Sequence, residues 1–218
     1  MQQLLAWWFF SVRGWKIDGN FPFELKKSVL VVAPHTHSSD FFLGLAIRKK
    51  MRLEFVHFLG KKELFWGIFG FILKQLGGYP VERSKNANQV DQVIKIFNEQ
   101  ALFHIALSPE GTRKKVSRLR TGFYHIAKNA QVPIVMVALD FEHKKVIFAH
   151  PFMTSENEKA DKQKIVGFFK GILGYVPANS ITEDIEGACW RRTEPVGAQA
   201  RPAALLPGRC AGGRASAA

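Results

Sequence analysis

The stretch from Val29 to Phe42 constrains the fold more than any other. Val29-Leu30-Val31-Val32-Ala33 is short, apolar, rich in β-branched residues and closed by Pro34, the pattern of a buried strand. Phe41-Phe42-Leu43-Gly44-Leu45-Ala46 keeps helical length up to Lys50, with Ser38, Ser39 or Asp40 available as its N-cap. Between them lies Pro34-His35-Thr36-His37-Ser38-Ser39-Asp40. A histidine and an aspartate therefore share one strand-to-helix turn. In that geometry the carboxylate can accept a hydrogen bond from one imidazole nitrogen, which leaves the other to take a proton from a substrate hydroxyl.

The rest of the chain repeats the strand-and-helix alternation. Residues 2–12 read as a helix and Trp15–Asn20 as a short strand and turn. Leu53–Leu59 reads as a strand, Lys62–Gln75 as a helix stopped by Gly77-Gly78, and Tyr79–Glu82 as a strand that delivers Arg83. Asn86–Gln100 is amphipathic, with Val90, Val93, Ile94 and Phe97 on one face. Leu102–Leu107 is a strand that runs into the loop Ser108-Pro109-Glu110-Gly111-Thr112-Arg113. A helix over Thr121–Asn129, strands over Pro133–Leu139 and Lys145–Phe148, and a last helix over 156–175 complete the pattern. The expected class is α/β, a largely parallel sheet flanked by helices. The expected division is one domain over 1–186 and a tail over 187–218. From Gly187 onward the chain is an aperiodic Ala, Gly, Pro and Arg tract that buries too little to order itself, and it resembles an out-of-frame extension.

Charge and apolar content bound the partners. The 218 residues carry a net charge of +13 with 47% hydrophobic residues, and the excess of positive charge survives removal of the tail. Such a chain suits an anionic membrane surface or a phosphorylated ligand. The basic residues form no single arm and no zinc-finger or RNA-binding signature is present, so nucleic acid is not expected. The two cysteines, Cys189 and Cys210, both fall in the tail, which excludes a disulfide framework or a cysteine nucleophile in the body and fits a reducing compartment. No segment reads as a transmembrane helix or a signal peptide. Leu4-Leu5-Ala6-Trp7-Trp8-Phe9-Phe10, beside Arg13 and Lys16, has two readings: a helix lying in the membrane interface, or a first helix packed on the core.

Four blocks in order carry a resemblance. They are His35-x4-Asp40, Arg83 after a glycine-containing turn, Glu110-Gly111-Thr112-Arg113, and Val132-Pro133-Ile134-Val135. Together they resemble the sequence blocks of the glycerolipid acyltransferases, over roughly residues 12–150. The resemblance implies that fold and a transfer of a fatty acyl group from acyl-CoA or acyl-ACP to the hydroxyl of a lysophospholipid such as lysophosphatidate. The protein is expected to be peripheral on the cytoplasmic face of a membrane, with the N-terminal segment, read from its own residues, as an interfacial helix. His35 would be the general base and Asp40 the group that fixes its tautomer. Arg113 matches the family's phosphate ligand and Arg83 the arginine of the second block, while Glu110, Gly111 and Thr112 complete the substrate-binding loop. Glu110 would orient the cations or the loop. Backbone N–H groups near Gly111 are candidates for the oxyanion. Lys114, Lys115, Arg118 and Arg120 extend the positive patch. No metal or bound cofactor is implied.

Two departures from the family pattern stand out: His37, where a small residue is usual, and Ser38-Ser39, where aromatic residues are common. His37 opens a rival, a zinc hydrolase with His35, His37 and Asp40 as ligands. A non-catalytic lipid-binding protein on the same fold is the third reading. Phe65, Trp66, Phe69 and Phe71 pack in the core, face lipid, or line an acyl-chain groove.

Overall fold

A computed structural model describes residues 2–82, 88–181 and the backbone of 190–191. Arg83 and nearly all of the 187–218 tail lie outside the described residues. A helix α1 (Gln2–Trp7) continues as a wider π-helical turn, Trp8–Val12, into strand β1 (Lys16–Asp18). Then follow β2 (Lys27–Ala33), α2 (Ser39–Lys50), β3 (Val56–Lys61), α3 (Gly67–Gln75) and β4 (Gly78–Val81). The second half is α4 (Gln89–Glu99), β5 (Phe103–Leu107), β6 (Leu119–Arg120), α5 (Gly122–Asn129), β7 (Ile134–Asp140), β8 (Lys145–Phe148), α6 (Glu158–Phe169) and β9 (Trp190–Arg191).

Seven strands form one sheet in the order β1-β8-β7-β2-β5-β3-β4. β7, β2, β5, β3 and β4 all run parallel, so their carboxyl ends share one edge. β8 turns back against β7, and β1, parallel to β8, runs the same way as β8. β6 and β9 make a separate two-residue pairing, which the sequence pattern does not signal.

Both faces of the sheet are covered, as a parallel sheet requires. Side chains alternate across it. Val29, Val31, Ala33, Ile134, Met136 and Ala138 face α4, α5 and α6, with Val93, Phe97, Phe123 and Ile165 among their neighbours. Leu30, Val135, Val137 and Leu139 face α1 and α2, against Ala6, Phe9, Leu43, Ala46 and Ile47. The i, i+3, i+4 spacing of Leu43, Ala46 and Ile47 is what seats α2. The α4 face forms as expected: Val93 and Phe97 are buried, with Val90 and Ile94 packed beside them.

Three boundaries move, each for a local reason. The Lys62–Gln75 helix is broken into a 3-10 turn, Lys62–Phe65, and α3, because Trp66 is extended and Gly67 takes a left-handed φ of +59°. The last helix stops at Phe169 rather than 175, since Lys170 is extended and Gly171 has φ +78°. Strand β3 begins at Val56, not Leu53, because Arg52 (φ +57°) makes a turn first. The N-terminal segment has one buried and one exposed face. Ala6 and Phe9 are buried against α2, whereas Leu4, Trp7, Trp8 and Val12 are exposed. No helix among the described residues is long and apolar enough to cross a membrane.

Candidate active site

The site forms at the carboxyl edge, in the centre of the sheet, where β2 and β5 end side by side. His35 follows β2 and is partly exposed; Asp40 lies in the first turn of α2 and is buried. His35 Nδ1 stands 3.1 Å from Asp40 Oδ2. The same oxygen accepts the backbone N–H groups of Thr36 at 2.7 Å and His37 at 2.9 Å. The turn thus wraps around one carboxylate oxygen. For that reason Asp40 is not a helix cap. Ser38 takes the cap position and makes no side-chain capping bond.

The loop after β5 supplies a second tie. Glu110 is buried, and its Oε1 accepts the backbone N–H of His35 at 2.8 Å. Its Oε2 accepts Ser108 Oγ–H at 2.7 Å. Burial pushes the Glu110 carboxyl up from the ordinary range, and the bonds from Ser108 and His35 offset part of that shift. Both carboxylate oxygens are spent inside the protein, so Glu110 holds the His35 turn against the loop. Gly111 needs its left-handed φ of +61°, and a Cβ there would lie 2.4 Å from Arg120 Nε. Its own N–H donates to the Ser108 carbonyl at 3.3 Å, so this amide is engaged within the turn.

Thr112, Arg113, Lys114 and Arg120 join His35 and Gly111 around a cavity of about 980 Å³. Arg113 is exposed and its carbonyl accepts Asn179 Nδ2–H at 3.0 Å, which anchors the backbone and leaves the guanidinium to solvent. Lys115 and Arg118 do not line the cavity.

A sequence model of one protein family, described as Acyltransferase, matches residues 15–140. The chain belongs to this acyltransferase family. It is 28% identical over 153 residues to a 1-acyl-sn-glycerol-3-phosphate acyltransferase of Haemophilus influenzae, across 66% of this chain and 62% of that protein. It is 27% identical over 120 residues to a protein of the same name from Cocos nucifera, across 52% of this chain and 38% of that protein. The chain thus spans less than two thirds of the length of either relative. No solved structure matches it.

In this acyltransferase the exposed lining of the cavity is polar and its buried lining apolar, on both faces of the sheet, with Val93, Phe123 and Ile126 on the side of α4 and α5. Leu30, Val32, Leu45, Ile47, Leu53 and Val56 line the part beneath α2. From His35 back to Leu30 is about 16 Å of extended chain. The Phe-rich segment does not line it: Phe65, Trp66, Phe69 and Phe71 are absent from its wall. Trp66, Phe69 and Phe71 do not sit in the core either, because they are exposed.

His37 turns away from the dyad. Its Nδ1 pairs with Ser39 Oγ at 2.9 Å and its ring stacks on Tyr175 at 4.3 Å. Among the described residues, the donor atoms that converge as metal ligands belong to Asp140, Glu142 and His143, not to His35, His37 and Asp40. The buried Thr36 adds a third tie: its Oγ1 accepts the Val176 N–H at 3.1 Å. Ser108, Thr36 and Tyr175 escape the sequence reading. Ser108 had a local signal, two positions before Glu110. Thr36 and Tyr175 had none, because their partners lie about 140 residues away in the chain.

Proposed function

We propose that the protein transfers a fatty acyl group from an acyl thioester, acyl-CoA or acyl-ACP, to the free hydroxyl of a lysophospholipid such as lysophosphatidate, in phospholipid biosynthesis. The observation that carries this reading is the His35–Asp40 pair, 3.1 Å apart, on a cavity whose exposed lining is polar and whose buried lining is apolar. The names of the two relatives support the acceptor class.

His35 Nε2 takes the proton of the acceptor hydroxyl while Nδ1–H remains bonded to Asp40, which stabilises the imidazolium. The acceptor oxygen attacks the thioester carbon. The tetrahedral intermediate then collapses, the C–S bond breaks, and His35 returns its proton to the departing sulfur. Arg113, with Lys114 and Arg120 beside it, neutralises the acceptor phosphate; a guanidinium grips phosphate through two parallel hydrogen bonds. Arg83 lies outside the described residues, and its share in this grip remains part of the proposal. The apolar depth beneath α2 takes the acyl chain. Peripheral attachment to the cytoplasmic face of an anionic membrane belongs to the same reading, supported by the exposed Leu4, Trp7, Trp8 and Val12 beside Arg13.

The test is transfer from labelled acyl-CoA to lysophosphatidate in detergent micelles, with and without a strong chelator. His35→Ala should lower kcat by roughly 10²–10⁴-fold with an unchanged circular dichroism spectrum. Arg113→Ala should raise the acceptor KM about tenfold or more and leave the donor KM in place. Full turnover in His35→Ala sinks the mechanism; product lost only with chelator returns the metal reading.

A further inference from the structure

Helix α3 has almost no polar side: Gly67-Ile68-Phe69-Gly70-Phe71-Ile72-Leu73-Lys74-Gln75. A helix apolar all round is normally buried. Yet Gly70 is its one buried residue. Trp66 is 88% exposed and Ile68 82%, and Leu64, Phe69, Phe71 and Ile72 are exposed beside them. A contiguous apolar patch of this kind marks a surface that meets a partner.

The mount beneath the patch is rigid. The Phe65 ring lies where a Cβ on Gly60 or Gly78 would come within 2.9 Å of it, and its backbone sits under Gly70. Glycine at these positions lets Phe65 pin the base of α3 to β3 and β4. The apolar side chains are therefore presented outward by built structure.

Place and charge identify the occupant. β3 ends at the same carboxyl edge as β2 and β5, so α3 departs from the edge that holds His35. The cavity wall continues toward it through Phe41 and Phe58, 5.2 Å apart. At the other flank of the sheet, an aromatic chain links Trp8, Phe9, Trp15, Phe141 and Tyr175 to His37. That chain runs from the exposed Trp8 to the turn that holds His37. Strands β1 and β3 are five spacings apart in the sheet, about 24 Å. β2, which leads into His35, lies between β1 and β3 in the sheet. Lys61, Lys62 and Lys74, all exposed, border the α3 patch, where the acids Glu63 and Glu82 lie beside Lys62 and Lys74.

We infer that α3 and the turn before it, Leu64–Ile72, form a second membrane-docking surface. It inserts into the interface of an anionic bilayer and, together with the N-terminal segment, holds the cavity mouth against the lipid. This rests on the proposed action on a membrane lipid. Two weak attachments give a firm one, and cations at the rim add attraction to anionic headgroups.

The experiment is flotation of the full chain with phosphatidylcholine vesicles, with and without phosphatidylglycerol. The triple variant Trp66→Ser, Phe69→Ser, Phe71→Ser should bind mixed vesicles at least tenfold more weakly. Its acyl transfer in detergent micelles should match wild type, which also shows that it is folded. Lys61→Ser, Lys62→Ser, Lys74→Ser should weaken the preference for phosphatidylglycerol and leave the part due to the N-terminal segment. Unchanged vesicle binding in the triple variant overturns the inference. So does lipid-free sedimentation showing a wild-type dimer that the triple variant dissolves, because the patch would then join two copies. A wild type that floats through this patch but transfers no acyl group defeats the enzymatic reading and leaves the docking surface standing.

Discussion

Glu110 holds its position by two hydrogen bonds in a place that water does not reach. Its role is positional: it fixes the backbone of His35, and the imidazole follows. Glu110→Ala leaves the His35 N–H without its partner, which costs about 1–3 kcal/mol of stability. A displacement of the base by even a fraction of an ångström is felt in turnover. Glu110→Ala should therefore lower kcat at least about tenfold with little change in acceptor KM. Glu110→Gln keeps an oxygen for the His35 N–H and should restore most of that loss. Steady-state kinetics on both variants check this. A rise in acceptor KM without a fall in kcat would instead make Glu110 a substrate ligand. The residues around this point differ in how legible they are. His35, Asp40 and the 110–113 loop are local patterns, each a strand end followed by a few residues. That Asp40 serves the turn rather than the helix cap is not legible, since both uses put a carboxylate at one position.

At the scale of elements, helices α5 and α6 are joined through a single buried carboxylate. Asp161 Oδ2 accepts Tyr124 O–H at 2.8 Å and the Ser155 N–H at 2.6 Å, and Oδ1 accepts Ser155 Oγ–H at 3.0 Å. Burial and the neighbouring Asp161 carboxylate push the Tyr124 phenol up from its ordinary value. Asp161→Ala removes the acceptor of all three donors and should destabilise the fold by about 2–3 kcal/mol, whereas Tyr124→Phe should cost about 1 kcal/mol. In a denaturant series the double variant should fall short of the sum, because both changes remove one shared bond. Elements of this kind were readable as helices from their apolar spacing, and α4 shows how well that works where one face is wet. The spacing fails at α3, where every face is apolar and the pattern carries no direction. It also fails past Phe169, where the helix ends on backbone conformation at Lys170 and Gly171 rather than on any change in hydrophobicity.

Across the whole molecule the two edges of the sheet do different work. The carboxyl edge carries the His35 and Glu110 loops; the amino edge packs Ser28 and His104 among aromatic rings. His104, near the start of β5, is buried there with Ser28 Oγ 2.7 Å from its Nδ1 and the rings of Phe21 and Phe55 within 5.3 Å. Burial pushes its pKa down to about 4 from 6.5, and His57 nearby pushes the same way. Between those values the unfolded chain binds a proton that the folded chain refuses. Stability should therefore fall as pH drops from about 6.5 to about 4 and level off below, by about 3 kcal/mol in all. His57, whose pKa is also lowered by burial, adds to this loss, and the raised Glu110 opposes it. Comparison with His104→Asn separates the three, since His57 and Glu110 remain in the variant. Unfolding free energies measured at pH 7 and pH 4.5 should differ far more in wild type than in His104→Asn. Equal pH dependence in the two proteins would show that the ring takes its proton without unfolding, and that the amino edge admits water.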